Sequence, residues 1–165
     1  MDQPTTTTHT TAATPIVCDM TTAPDTGPER MLEYQRLFAQ ALIGRERTAD
    51  GIRFRLRADA GVEPWVRDLA AREKACCAFF DFRISTEGDE VRWDASVVDD
   101  DIARDILDEF YELPDTVADG VEGLESRLRE RGLQIAANPA GTVTDVRHAG
   151  GAAGVSSMRG PSPVY

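Results

Sequence analysis

The stretch Gly51-Ile52-Arg53-Phe54-Arg55-Leu56-Arg57 alternates strictly between apolar and charged residues after its first glycine. Successive side chains of a β-strand point to opposite faces of the sheet. Ile52, Phe54 and Leu56 therefore share one face, and the arginines share the other. The pattern predicts a strand with one buried side and one side that meets solvent.

A second apolar face is predicted downstream of this strand. Residues 82–86 and 91–97 have the composition of strands, and the segment between them contains Gly88, a residue suited to a tight turn. An antiparallel hairpin is therefore expected. Its buried face would consist of Val91, Trp93, Ala95 and Val97.

Three stripes of apolar residues at helical spacing flank these strands. The first is predicted to stop at Gly44, and Pro114 is predicted to close the third. Acidic residues stand at the start of the third stripe, where a helix N-terminus favours negative charge. The predicted limits of the three helices are residues 28–44, 64–77 and 99–114.

Two weaker elements complete the predicted order. Residues 15–20 are expected to form an opening strand, and apolar residues from Val117 to Leu128 favour a fourth helix. The order β-α-β-α-β-β-α plus a C-terminal helix predicts an α/β (α+β) fold, a two-layer sandwich in which a small mixed or antiparallel sheet carries helices on one face. The predicted parts are a disordered Thr-rich arm, the cysteine-containing domain, an accessory helix and a disordered tail, at residues 1–14, 15–114, 115–134 and 135–165.

Charge and hydropathy restrict the partners and the location. The formal net charge of −11 disfavours nucleic acid, because phosphate binding requires a basic surface. No run approaches the roughly 18 apolar residues of a membrane helix, and residues 1–14 lack the features of a secretion signal. We therefore expect a cytoplasmic protein that has no membrane partner.

The cysteines are the most informative residues for function. The chain has three, of which Cys76 and Cys77 are adjacent near the end of the second predicted helix. Cys18 is expected on the apolar face of the opening strand, together with Ile16 and Met20. An odd number of cysteines argues against a disulfide framework, and in a reducing cytosol all three are expected to stay free. If the opening strand lies beside the second helix, the three thiols could converge.

A shared thiol site is the first interpretation of these residues. Adjacent helical residues point about 100° apart, so Cys76 and Cys77 can face one point only where the helix frays or tightens. Glu73 lies three and four residues earlier, on the face they share, and is a candidate fourth ligand or proton acceptor. Three thiolates suit Zn²⁺, Cu(I), Hg²⁺, Cd²⁺ or trivalent arsenic, without selecting among them. Ordinary packing is the alternative, because a free cysteine behaves as a small hydrophobe.

The segment Glu73-Lys74-Ala75-Cys76-Cys77-Ala78-Phe79-Phe80-Asp81-Phe82 resembles a group of small bacterial Glu-x-x-Cys-Cys domains, some of which are attached to MerR-type, metal-responsive regulators. The resemblance extends over roughly residues 15–114. It implies that Cys18, Glu73, Cys76 and Cys77 contact a metal or metalloid. Other members often carry Pro where Ala78 stands, so here the second helix is freer to continue past the cysteines.

Three functions follow from these observations. The first is binding of a soft metal or metalloid ion for sensing, buffering or delivery, with Zn, Hg, Cu(I) or As(III) as the ion and no catalytic role. The second is a small cytosolic enzyme of specialised metabolism with a pocket between sheet and helices. The third is a non-catalytic interaction module, in which the fourth helix could also form a homodimer contact.

Overall fold

The computed structural model describes residues 16–136 and 142–145, with side chains described as far as Leu133. Within these residues, four α-helices are separated by pairs of strands or by a short turn: α1 (Gly27–Ala41), α2 (Val62–Cys76), α3 (Asp101–Thr116) and α4 (Gly120–Glu130). The strands are β1 (Leu42–Arg47), β2 (Gly51–Arg57), β3 (Phe80–Glu87), β4 (Glu90–Val97), β5 (Leu133–Ala136) and β6 (Thr142–Asp145). A 3₁₀ turn, Val117–Asp119, joins α3 to α4.

The main sheet has four antiparallel strands in the order β1-β2-β4-β3. Along β2 the residues Ile52, Phe54 and Leu56 are buried, as the alternation predicts. Helices α1, α2 and α3 cover this apolar face, whereas α4 packs against α1, α3 and β5. The predicted α+β sandwich is therefore confirmed.

An aromatic cluster fills the space between the sheet and the helices. Trp93 and Phe54 are completely buried, and Phe110 of α3 lies edge-on to both rings. Tyr34 of α1 stacks on Trp93 with ring centroids 6.1 Å apart. These contacts bind two helices to the central strands, so the positions of α1 and α3 relative to the sheet are well determined.

Helix starts follow the sequence signals closely. Thr26 and Glu29 form a capping box at the start of α1, in which each side chain accepts a hydrogen bond from the backbone N–H of the other residue. Asp100 caps α3 by accepting hydrogen bonds from the N–H groups of Ile102 and Ala103. The acidic start predicted for the third helix therefore has a direct hydrogen-bonding role.

The element order differs from the prediction at three places. The opening strand at residues 15–20 is reduced, within the described residues, to a single β-bridge between Cys18 and Cys77. The first helix ends before Gly44, and the residues from Leu42 onward form the additional strand β1. Pro114 does not close α3, because it stands in the last turn of a helix that continues to Thr116.

The C-terminal part contributes a small separate ladder. β5 pairs with β6 in antiparallel register. The last two residues of β5 and the whole of β6 lie in the segment 135–165, which was predicted to be a disordered tail. The Thr-rich arm at residues 1–14 and the remainder of the tail lie outside the described residues. There the expectation of disorder stays a prediction. Among the described helices, none combines the length and the apolar character needed to cross a membrane.

Candidate metal centre

Helix α2 ends between the two adjacent cysteines. Cys76 is its last helical residue, while Cys77 leaves the helix with φ −120° and ψ 76°. The backbone N–H of Cys77 still donates to Glu73 O at 2.7 Å. This break removes the divergence that a regular helix would impose, and the two Sγ atoms lie 3.7 Å apart. The end of the helix between the two cysteines is therefore what allows their sulfur atoms to lie close together.

Neighbouring segments hold this helix end in place. The backbone N–H of Asp19 donates to Cys76 O at 2.8 Å. The Lys74 ammonium donates to the carbonyl oxygens of Ala78 and Phe80 just after the cysteines. The Cys76 carbonyl is a terminal helix carbonyl, which needs such a partner because no later turn supplies an N–H. These contacts explain why the helix stops here although Ala78, rather than proline, follows the pair.

Cys18 forms a disulfide with Cys77. Their Sγ atoms are bonded at 2.06 Å, and the two Cα atoms lie 4.3 Å apart. The expectation that all three cysteines stay free is therefore wrong for this pair, while Cys76 remains a buried free thiol. The sequence could not show this, because the bonded residues are 59 positions apart. It requires the opening segment to lie antiparallel to residue 77.

Glu73 lies beside the free thiol, as its helical spacing predicts. Its Oε2 atom is 3.8 Å from Cys76 Sγ. One carboxylate oxygen of Glu73 and the sulfur atoms of Cys76 and Cys77 all lie within 4.8 Å of one another. Since Cys18 Sγ is bonded to Cys77 Sγ, all four residues predicted to contact a metal come together at one point.

Arg30 is the residue of this site that sequence reasoning missed. It belongs to α1 and is only 4% exposed. Its guanidinium donates to both carboxylate oxygens of Asp25, at 2.6 and 2.7 Å, and to Glu73 Oε1 at 3.0 Å. The same Nη1 atom is 3.7 Å from Cys76 Sγ. A signal was available, because Arg30 precedes Tyr34 by four residues and so lies on the buried face of its helix.

A second arginine anchors this group to α2. Arg72 donates to Asp25 Oδ2 at 2.7 Å and to both carboxylate oxygens of Glu33. The hydrogen bond from Arg30 is the main cause that lowers the pKa of Asp25, with burial acting in the opposite direction. The indole N–H of Trp65 also donates to Glu33 at 2.8 Å. The network fixes α1 against α2 and thereby fixes Arg30 beside the cysteines.

The free thiol is a weak acid in this environment. Burial raises the pKa of Cys76 to about 11, and the nearby Glu73 carboxylate adds to the increase. Arg30 acts in the opposite direction but does not outweigh them. At neutral pH, Cys76 is therefore a protonated thiol rather than an activated nucleophile.

Tyr34 completes the polar lining. Its hydroxyl is buried and interacts with the nearby Glu73 carboxylate, but it makes no hydrogen bond of ordinary geometry within the described part of the chain. Burial raises the pKa of Tyr34 well above its usual value, and the charge of Glu73 contributes. A buried donor without a partner is uncommon, and its free energy cost is offset when a ligand or water accepts its hydrogen bond.

The cysteines open into a large cavity of about 760 Å³. Much of its wall is apolar and comes from β3, α3 and α4, which places the cavity between the sheet and the helices. If the protein is a small enzyme, its pocket was predicted to lie in this position. The apolar residues on these three elements are Phe80, Phe82, Ile106, Phe110, Leu113, Val121, Leu124 and Leu128.

Comparison of the chain with protein-family models, with curated proteins and with solved structures finds no match. The chemistry of the site therefore follows from its own polar groups and their surroundings. Those are two sulfurs of a disulfide, one adjacent thiol, one carboxylate and one buried guanidinium.

Proposed function

We propose that this protein binds a soft metal or metalloid ion through the reduced sulfurs of Cys18, Cys76 and Cys77, with Glu73 as an additional donor. The observation that carries the proposal is the convergence of the Glu73, Cys76 and Cys77 donor atoms within 4.8 Å, with Cys18 bonded to one of them. Thiolates favour Zn²⁺, Cu(I), Hg²⁺ or As(III) over hard ions. Sensing, buffering or delivery of such an ion would each use this site.

The interatomic distances support this proposal. Two sulfurs that each lie about 2.3 Å from a tetrahedral zinc ion are about 3.8 Å apart, and a sulfur and a carboxylate oxygen are about 3.6 Å apart. The Cys76 and Cys77 sulfurs are 3.7 Å apart, and Glu73 Oε2 is 3.8 Å from Cys76 Sγ. These two separations match the edges of a coordination site, whereas the Cys18 and Cys77 sulfurs, bonded at 2.06 Å, can reach such a spacing only after reduction.

Binding by all three sulfurs requires reduction of the disulfide. Two equivalents of a low-molecular-weight thiol, RSH, convert the Cys18–Cys77 bond into two thiols and release RSSR. A reducing cytoplasm supplies such thiols, so a cytoplasmic location is part of the proposal. The oxidised protein retains only Cys76 as a free thiol and should bind soft ions weakly.

The negative charge of the reduced, deprotonated site also favours binding of a positively charged ion. Three thiolates and one carboxylate would place four negative charges together, which is costly in a partly buried site. The buried Arg30 guanidinium, near both Glu73 and Cys76, offsets part of that charge. An ion that displaces the thiol protons neutralises most of the remainder.

The proposal is tested by titrating the reduced full-length protein with Cd²⁺ or Hg²⁺ and following the thiolate-to-metal absorption band, with native mass spectrometry for stoichiometry. We expect one ion per chain, weaker binding by Cys76→Ser, and no change for Leu32→Ala, which alters an exposed residue. Because the thiols must lose their protons when the ion binds, affinity should rise with pH. Equal uptake by the variant in which all three cysteines are Ser would disprove the proposal.

A small enzyme is the second candidate, and the cavity beside the thiols is the observation that favours it. The raised pKa of Cys76 argues against a nucleophilic role for that thiol. Both histidines, His9 and His148, lie outside the described residues. Turnover of a small molecule that persists in the variant without cysteines would favour this candidate over metal binding.

A further inference from the structure

The cavity is far larger than an ion requires. A water molecule in the liquid occupies about 30 Å³, and a coordinated ion needs a comparable space. The volume of about 760 Å³ instead falls within the range of small-molecule sites, about 300–1,000 Å³. The thiols share its wall, so a ligand held by them would extend into this space.

Aromatic rings form one side of the cavity next to the cysteines. Phe80 and Phe82 stack with centroids 5.3 Å apart, and Phe110 lies edge-on to both at 5.6 and 6.2 Å. Such rings favour contact with an aryl or alkyl group through apolar burial and edge-to-face geometry. They offer nothing to a hydrated inorganic ion.

Two carboxylates on the wall are paired with arginines. Arg30 and Arg72 neutralise Asp25, while Arg127 and Arg131 each donate to Glu109 at 2.9 Å. Tyr34, in contrast, lines the cavity and is 2% exposed, and its hydroxyl makes no hydrogen bond of ordinary geometry among the described residues, although it interacts with the nearby Glu73 carboxylate. It is a hydrogen-bond group available to a bound molecule.

From the apolar cavity, the aromatic wall and the adjoining sulfurs we infer that the ligand is a soft metal or metalloid centre carrying one apolar organic group, such as a monosubstituted trivalent arsenical. The arsenic binds the thiols, and the organic group lies between the phenylalanines of β3 and α3 and the leucines of α4. This inference rests on the proposed function and adds the ligand class.

The binding reaction is a ligand exchange. In the reduced protein, R–As(OH)₂ and the thiols of Cys76 and Cys77 give R–As(S–Cys)₂ and two molecules of water. Two As–O bonds break and two As–S bonds form, the thiol protons leave with the hydroxides, and arsenic stays trivalent. The two sulfurs are 3.7 Å apart, close enough for one arsenic atom to bridge them. Cys18 remains free to add a third sulfur when the centre is inorganic.

The test compares phenylarsine oxide with arsenite on the reduced full-length chain. Leu124→Trp, on the α4 wall, should occupy part of the cavity, and Leu32→Trp is the matched control at an exposed position of α1. We expect Leu124→Trp to weaken phenylarsine oxide binding by about tenfold or more, since burial of a group of this size contributes at least that much. Arsenite affinity should stay unchanged in both variants.

Two further readouts keep the test decisive. If Leu124→Trp fails to fold by circular dichroism, Phe82→Leu replaces it, with the same expected loss for the phenyl compound only. NMR should also show proximity between the phenyl protons of the ligand and the side chains of Phe82 and Leu124. Equal effects on both arsenicals, or no phenyl contacts, would overturn the inference while metal binding stood. If neither arsenical nor Cd²⁺ binds to the reduced wild-type protein, the proposed function itself fails.

Discussion

The acidity of Cys76 provides a direct measure of the environment deduced for the site. In the disulfide form, Cys76 is the free thiol, and its pKa is raised to about 11 from an ordinary value of 9.0. Each pH unit changes the thiolate fraction about tenfold, so at pH 8 this fraction should be about a hundredfold lower than for an ordinary cysteine. Alkylation by iodoacetamide requires the thiolate, so it should be slower than for an ordinary cysteine, although the greater nucleophilicity of a thiolate with a higher pKa offsets part of the decrease.

The assay measures the alkylation rate from pH 7 to pH 11.5 in short pulses, with mass spectrometry to verify that the label is on Cys76. The logarithm of the rate should rise with unit slope to a midpoint near 11. Glu73→Gln should lower the midpoint because a negative charge is removed, yet leave it above 9.0 because burial is the larger cause. Arg30→Met should raise it.

The same shift predicts a stability change at high pH. A thiol whose pKa is higher in the folded state favours folding below its unfolded pKa, and this contribution is lost as pH rises through the folded value. Between pH 9 and pH 11 the unfolding free energy should fall by about 2–3 kcal/mol more in the wild type than in Cys76→Ala. A midpoint at or below 9 in the alkylation assay would refute the deduced burial and charge arrangement.

Three other perturbations test the surroundings of the site. Arg30→Met should lower the free energy of unfolding, measured in urea, by about 3 kcal/mol, because it leaves Asp25 and Glu73 partly buried with less compensating charge. The control is Arg67→Met, which removes an exposed ion pair and should lower it by less than about 1 kcal/mol. Equal losses in the two variants would contradict the buried network. Cys18→Ser should lower stability by about 4 kcal/mol, because it opens a cross-link spanning 59 residues. This difference should vanish in dithiothreitol, and equal stability without reductant would show that the disulfide does not form. Arg55→Gln should raise the pKa of Glu90 from about 2 toward its ordinary value, because the hydrogen bonds from Arg55 are the main cause of the low value. The Glu90 contribution to stability is present above pH 4.5 and is lost as pH falls toward 2, so an NMR titration that finds no change in the variant would contradict the ion pair.

The sequence alone was sufficient for three of the four strands of the main sheet and for most of the helices. The strict alternation around Phe54 defines β2, and Gly88 marks the turn of the β3–β4 hairpin. These signals are local, since side-chain direction repeats every two residues in a strand and about every 3.6 residues in a helix. The β1 strand was missed because the apolar stripe of α1 extends into Leu42, and only pairing with β2 decides that this residue is extended.

In the candidate site, too, local spacing predicted some contacts and only the tertiary structure decided the others. Spacing placed Glu73 beside Cys76, because residues three apart share a helix face. Tertiary structure alone decided that Cys18 reaches Cys77, that Arg30 lies over the thiol and that α4 closes a cavity beside them. Each of these contacts joins residues far apart along the chain, and local periodicity carries no information about which distant segments meet.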